Sequence, residues 1–201
     1  MRTLWQNSSP SDENLKIDPA EILSPTAYAK ERDAINRSVI GIERERRIST
    51  RTFTFLFENK DTVLNQINEM VYLEKIEDAG EIGYLIDVYS GLLPSPGVLS
   101  VSMFIEITNP DRLLSEMPNL AGIEKNVYIV FDGNELRGEP EEGRSTETLE
   151  STLQYLKFRF TTEMKGKFAA ASNVFFETRH KGYSESARIP AGLHDVLKKE
   201  I

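Results

Sequence analysis

The residues best placed to do chemistry cluster in one short stretch. Glu58, Asn59, Lys60 and Asp61 stand between an apolar run and an amphipathic one, with Gln66 and Glu69 three residues apart just beyond. A carboxylate at a strand end, beside the exposed N–H groups of a helix start, is a place where a ligand can be held. Helix capping accounts equally well for Asn59 and Asp61. A second group is Arg44, Arg46, Arg47 and Arg51. Between Lys30 and Arg51 there are seven basic and four acidic residues, a net of +3, so the rest of a chain of net charge −8 carries −11. Guanidinium forks grip carboxylates and phosphates bidentately, which reads as a surface for an anion or an acidic partner. Cations at a helix C-terminus and a Glu43–Arg47 pair four residues apart explain the same arginines as local electrostatics. The third group, Glu141-Glu142-Gly143-Arg144, pairs carboxylate with guanidinium on an acidic loop. A carboxylate–arginine pocket built from Glu58, Asn59, Gln66, Glu69, Glu142 and Arg144 requires that these side chains converge.

Much chemistry is excluded. The chain has no cysteine, so it cannot offer a disulfide, a thiolate ligand or a cysteine nucleophile. His180 and His194 are its only histidines, and no H-E-x-x-H occurs. No metal site and no cofactor is expected. His194, beside Asp195, is expected to face solvent. The glycine patterns that cradle phosphates and the G-x-S-x-G nucleophile turn are missing. No catalytic residue can be named, and the residues do not decide between an enzyme and an interaction domain. The acidic charge argues against nucleic acid as a partner. No stretch reaches the ~20 apolar residues of a membrane span. Residues 1–17 lack the apolar run of a signal peptide. They are expected to form a flexible tail carrying Trp5 ahead of a single domain over 18–201, in a cytoplasmic protein whose homo-oligomeric state is left open.

The elements that must position these residues follow from local patterns. Asp18-Pro19-Ala20-Glu21 carries a helix-start signal with a capping box, and Ser24-Pro25 opens a longer helix to about Arg47. The run 52–57 is β-branched and aromatic, a strand. Asn59 or Asp61 caps a helix from about Thr62 to Glu77, broken at Gly80. Ile82, Leu85, Ile86 and Tyr89 then share one face of a third helix, which Pro94 and Pro96 stop. Alternation over 99–107 predicts a strand with one buried face. Asn109-Pro110 opens a short helix. A strand over 127–131 turns at Asp132-Gly133, the strongest hairpin signal in the chain. Residues 139–148 read as a loop, and 153–160 as a strand with Leu156, Phe158 and Phe160 on one face. A short helix over 161–171, a hairpin around Lys181-Gly182 and a helix from Pro190 complete the chain.

Strands joined by hairpins and short helices imply an α+β fold, with N-terminal helices on a mainly antiparallel sheet of five to six strands and a C-terminal helix. The run Thr54-Phe55-Leu56-Phe57-Glu58-Asn59-Lys60-Asp61-Thr62-Val63-Leu64, continuing through Gln66-Ile67 and Glu69-Met70, resembles the signature of an uncharacterised bacterial family, domain of unknown function 3501. Phe104-Ile105-Glu106-Ile107, Glu141-Glu142-Gly143-Arg144 and Gln154-Tyr155-Leu156-Lys157-Phe158 resemble its later blocks in the same order, so the likeness covers residues 18–200. The resemblance implies no activity and no catalytic residue. It implies a setting beside a rubrerythrin-like protein and an iron–sulfur protein, hence an accessory protein-interaction role in redox or oxidative-stress metabolism. On that reading the absence of cysteine places the metal chemistry on the partner.

Overall fold

The computed structural model describes residues 16–141 and 152–201. The Trp5 tail and most of the acidic loop, including Glu142 and Arg144, lie outside the described residues. The chain is α+β. Its helices are α1 (Pro25–Arg46), α2 (Lys60–Glu74), α3 (Ala79–Ser90), α4 (Pro110–Leu120), α5 (Thr162–Ala170) and α6 (Ala191–Glu200). Its strands are β1 (Arg47–Ser49), β2 (Phe53–Phe57), β3 (Val98–Ile105), β4 (Val127–Phe131), β5 (Asn134–Arg137), β6 (Glu139–Pro140), β7 (Leu153–Arg159), β8 (Val174–His180) and β9 (Tyr183–Arg188).

The strands divide into two antiparallel sheets rather than one, of order β1-β2-β3-β7-β6 and β5-β4-β8-β9. Aromatic side chains join them. Phe55 and Phe158 meet Phe176 of the facing sheet at ring separations of 4.3 and 5.3 Å, and Phe131 packs edge-on to Phe168. Burying rings of this size is the dominant favourable term, on the order of 2–3 kcal/mol each. The opposite face of the five-stranded sheet is covered too, where Val63, Ile67, Val71, Ile86, Leu92, Leu93 and Tyr155 form a second apolar cluster. Ile17 belongs to that cluster and is buried.

This double cover corrects the expectation of a one-faced strand over 99–107. Every residue of β3 except Phe104 is buried, the small polar Ser100 and Ser102 included. A strand covered on both sides can carry polar side chains only where each finds a partner.

Local signals place most element ends. Asp18 and Glu21 make the expected capping box, around a single 3-10 turn. Ser24, Asn59 and Asn109 cap α1, α2 and α4 with their side chains. Asp132 and Gly133 both adopt positive φ, as a tight twisted hairpin requires. One end differs: α2 stops at Lys75, which turns left-handed, and Gly80 lies inside α3. His194 is buried rather than solvent-facing. Its ring stands edge-on to Phe168, and Nε2 lies 2.8 Å from the Phe168 carbonyl oxygen.

Candidate functional site

Glu58 directly follows β2, and its backbone N–H donates to the Ser100 carbonyl at 2.8 Å. The pleat turns its side chain inward, under α2, where only 1 % of the residue is exposed. Three donors converge on the carboxylate. The Ser102 and Thr62 hydroxyls each donate to one oxygen, and Gln66 Nε2 donates at 3.1 Å. Burial pushes the carboxyl above the usual range, and the three hydrogen bonds oppose that shift in part.

One step along the same face lies Lys157. Strands β3 and β7 pair so that Ser100 is opposite Lys157 and Ser102 opposite Tyr155. The Lys157 ammonium donates to the Leu93 carbonyl at 2.8 Å and to Ser100 Oγ at 3.0 Å. Burial brings its pKa down to about 8; Arg159 adds to the shift, and Glu141 and Glu58 partly offset it. Because β7 alternates, Tyr155, Lys157 and Arg159 share one side of the strand. All three line an open pocket of about 170 Å³ between the turn after α3, at Gly91 and Leu92, and β6 with Glu141 just beyond it. At the pocket, Arg159 Nε donates to Glu139 at 2.7 Å. The arrangement offers a desolvated amine, a guanidinium and carboxylates in one concave place, with a buried carboxylate network behind them.

The other residues singled out by sequence go elsewhere. Asn59 caps α2 and Glu58 and Gln66 meet, but Glu69 points to the α1 side. It takes both forks of Arg32 at 2.9 Å, together with Tyr28 and Asn36. The Arg32 guanidinium holds the Glu69 carboxyl below its usual range. The arginine group does not form one surface. Arg46 is buried, with Nε on the Phe57 carbonyl at 2.7 Å and its other nitrogens on Glu200 at 2.7 and 2.8 Å. Arg47 pairs with Glu43 at 3.3 Å and Arg51 with Glu185 at 3.4 Å, while Arg44 is exposed. Ser100, Ser102, Tyr155, Lys157 and Arg159 were not among the residues singled out by sequence. The available signal was a strand in which Tyr155, Lys157 and Arg159 alternate with Leu156 and Phe158.

A larger hollow of about 450 Å³ lies beside α6. Its cations are already engaged: Arg188 with the Ser172 carbonyl and Asn173 Oδ1, Lys198 with Asp195. The smaller pocket, where the perturbed amine stands, is the stronger candidate.

A family model described as a protein of unknown function, DUF3501, matches residues 16–201. The chain belongs to the DUF3501 family. The match spans the signature stretch and the later blocks of the sequence resemblance. The DUF3501 chain is also similar to a crystal structure of a protein of unknown function from Burkholderia pseudomallei. The two share 28 % identity and a TM-score of 0.85, over 92 % of this chain and 99 % of that one. No curated protein matches it. Among the described residues, no helix is long and apolar enough to cross a membrane.

Proposed function

We propose that this DUF3501 protein binds a small anionic molecule in the pocket walled by Tyr155, Lys157 and Arg159, as a sensor or an enzyme. The observation that carries this reading is Lys157. An ammonium drawn out of water onto the wall of an open pocket, with a guanidinium two residues along the same strand face, costs folding energy that an anionic ligand would offset. This pocket differs from the carboxylate–arginine pocket expected from sequence: Glu58 and Gln66 meet at Ser102 on the same sheet face, Glu69 turns to α1, and Glu142 and Arg144 lie outside the described residues. A test is an amide NMR titration with acetate, phosphate and small dicarboxylates at millimolar concentration. Shifts concentrated at Gly91, Leu92, Tyr155 and Lys157 support the reading; a panel that leaves those amides unmoved contradicts it.

A second reading is an accessory domain that docks to another protein. It is favoured by the apolar surface of α3 and its neighbour α2, where Tyr84 is 69 % and Leu73 61 % exposed and Val88 is exposed beside them. The family resemblance makes an iron–sulfur or rubrerythrin-like protein the partner to try. Sedimentation of the purified mixture would show a complex that Tyr84→Ser weakens; independent sedimentation at micromolar concentration would count against it.

A further inference from the structure

We infer that the pocket takes a small 2-oxo acid, whose carboxylate is gripped by Arg159 and whose carbonyl carbon condenses with the Lys157 amine to form an imine. This rests on the small-anion reading above and names the ligand class for the same pocket.

Four features of the site lead there. First, two acceptors, the Leu93 carbonyl and Ser100 Oγ, hold the Lys157 nitrogen in place at 2.8 and 3.0 Å. They occupy two N–H directions and leave one tetrahedral position on the nitrogen of a residue that lines the pocket, and to that position we assign the carbonyl carbon. Second, burial and the neighbouring Arg159 bring the amine toward neutrality, with a pKa of about 8. At pH 7.5 about a quarter of Lys157 is then uncharged and nucleophilic, against roughly one part in a thousand for an ordinary lysine. Third, Arg159 donates to Glu139 through Nε, and no hydrogen bond from its two Nη groups is present among the described residues. Those groups are the fork that binds a carboxylate in bidentate fashion. Alternate strand positions place the two residues about 7 Å apart at Cα, and long side chains can close that span to the adjacent carboxylate and carbonyl carbons of a 2-oxo acid. Fourth, a volume of about 170 Å³ is that of about six waters at roughly 30 Å³ each, which suits an acid of three or four carbons.

The step balances without a redox partner. The neutral amine attacks the carbonyl carbon, the new C–N bond forms, and the π pair moves to oxygen, which takes up a proton. Tyr155, on the same strand face and lining the pocket, is the phenol placed to pass that proton. The amine's two hydrogens leave with the carbonyl oxygen as water when the C=N bond closes. An iminium formed by protonation of that imine would sit near the Glu58 and Glu141 charges, which favour a cation at Lys157.

The test uses the full chain incubated with pyruvate or glyoxylate and then treated with borohydride, followed by intact mass and peptide mapping. The expected result is one adduct, on Lys157, with a formation rate that rises with pH and levels off above about 8. Lys157→Arg, which keeps the cation and a donor to Leu93, loses the adduct while remaining folded. Arg159→Gln lowers the adduct yield at fixed pyruvate by about ten-fold or more, the effect of one charged hydrogen-bonding partner. Label spread over surface lysines with Lys157 unmodified would overturn the proposal. The absence of any adduct would also overturn it. In that case amide shifts at Gly91, Leu92 and Tyr155 on adding pyruvate or acetate would leave the binding reading standing. Unmoved amides would overturn both.

Discussion

Lys157 lies directly across the β3–β7 ladder from Ser100, and its ammonium donates to that serine's Oγ at 3.0 Å. The contact places a basic side chain on the helix-covered face of a sheet whose other face is packed with phenylalanine. Its protonation is therefore linked to folding. The folded pKa, about 8, is below the ordinary 10.5, so between those values the unfolded chain keeps a proton that the folded chain has released. Stability contributed by this group rises with pH across that window; the cost is full below about 8 and gone above 10.5. The stability difference between the natural protein and Lys157→Met, from urea unfolding at pH 7 and pH 10, shifts in favour of the natural protein at the higher pH. A difference independent of pH would contradict this.

Glu58 is held by three donors, of which the Ser102 hydroxyl is fully buried while Thr62 also reaches the Asn59 carbonyl at 3.0 Å and Gln66 is half-buried. Glu58→Ala leaves the buried Ser102 hydroxyl without this acceptor and opens a hole under α2, and costs roughly 2–4 kcal/mol in equilibrium unfolding. Glu58→Gln keeps the shape and loses less. Because burial raises the folded carboxyl above its ordinary 4.5, the natural protein loses stability relative to Glu58→Gln as pH rises above that value. Parallel pH profiles for the two would argue against a carboxyl shifted by burial.

Arg46 ties the end of β2 to the C-terminal helix through the Phe57 and Glu58 carbonyls and Glu200. Arg46→Ala leaves the partly buried Glu200 carboxylate without this cation and two carbonyls without this donor, and costs roughly 3–5 kcal/mol. Arg44→Ala, at an exposed position of the same helix, stays within about 0.5 kcal/mol. Urea midpoints of the two variants check the contrast, and equal effects would contradict it.

Gly138 has a different constraint. A Cβ there would come within 2.8 Å of the Phe158 ring, which is buried between the sheets. Gly138→Ala is expected to lower the melting temperature, at a cost of roughly 1–3 kcal/mol. Unchanged melting would mean that the ring has room to move.

Helix starts were legible because Asp18, Ser24, Asn59 and Asn109 act through hydrogen bonds two to three residues away. The hairpin at Asp132-Gly133 was legible for the same reason. The division of strands between two sheets was not, since it depends on pairings such as Ser100 with Lys157, 57 residues apart. Glu69 illustrates the limit on site reading. Its spacing from Gln66 placed both on α2, but α1 packs alongside and presents Arg32 to the carboxylate. The arginine run divided in the same way. Only the long-range partners Glu185 and Glu200 determine where Arg51 and Arg46 point. Lys157 was not singled out because nothing local shows that α2 and α3 cover its face of the sheet.

Everything proposed for the pocket depends on Lys157 being a desolvated amine on its wall. The most direct measurement is the pH titration of its ¹³Cε resonance in lysine-labelled protein, assigned with Lys157→Arg. The expected result is a midpoint near 8, well below the ordinary lysine value, and a shift of that resonance on adding a small carboxylate. A Lys157 that titrates with the rest, above pH 10, and does not respond to the carboxylate would contradict it.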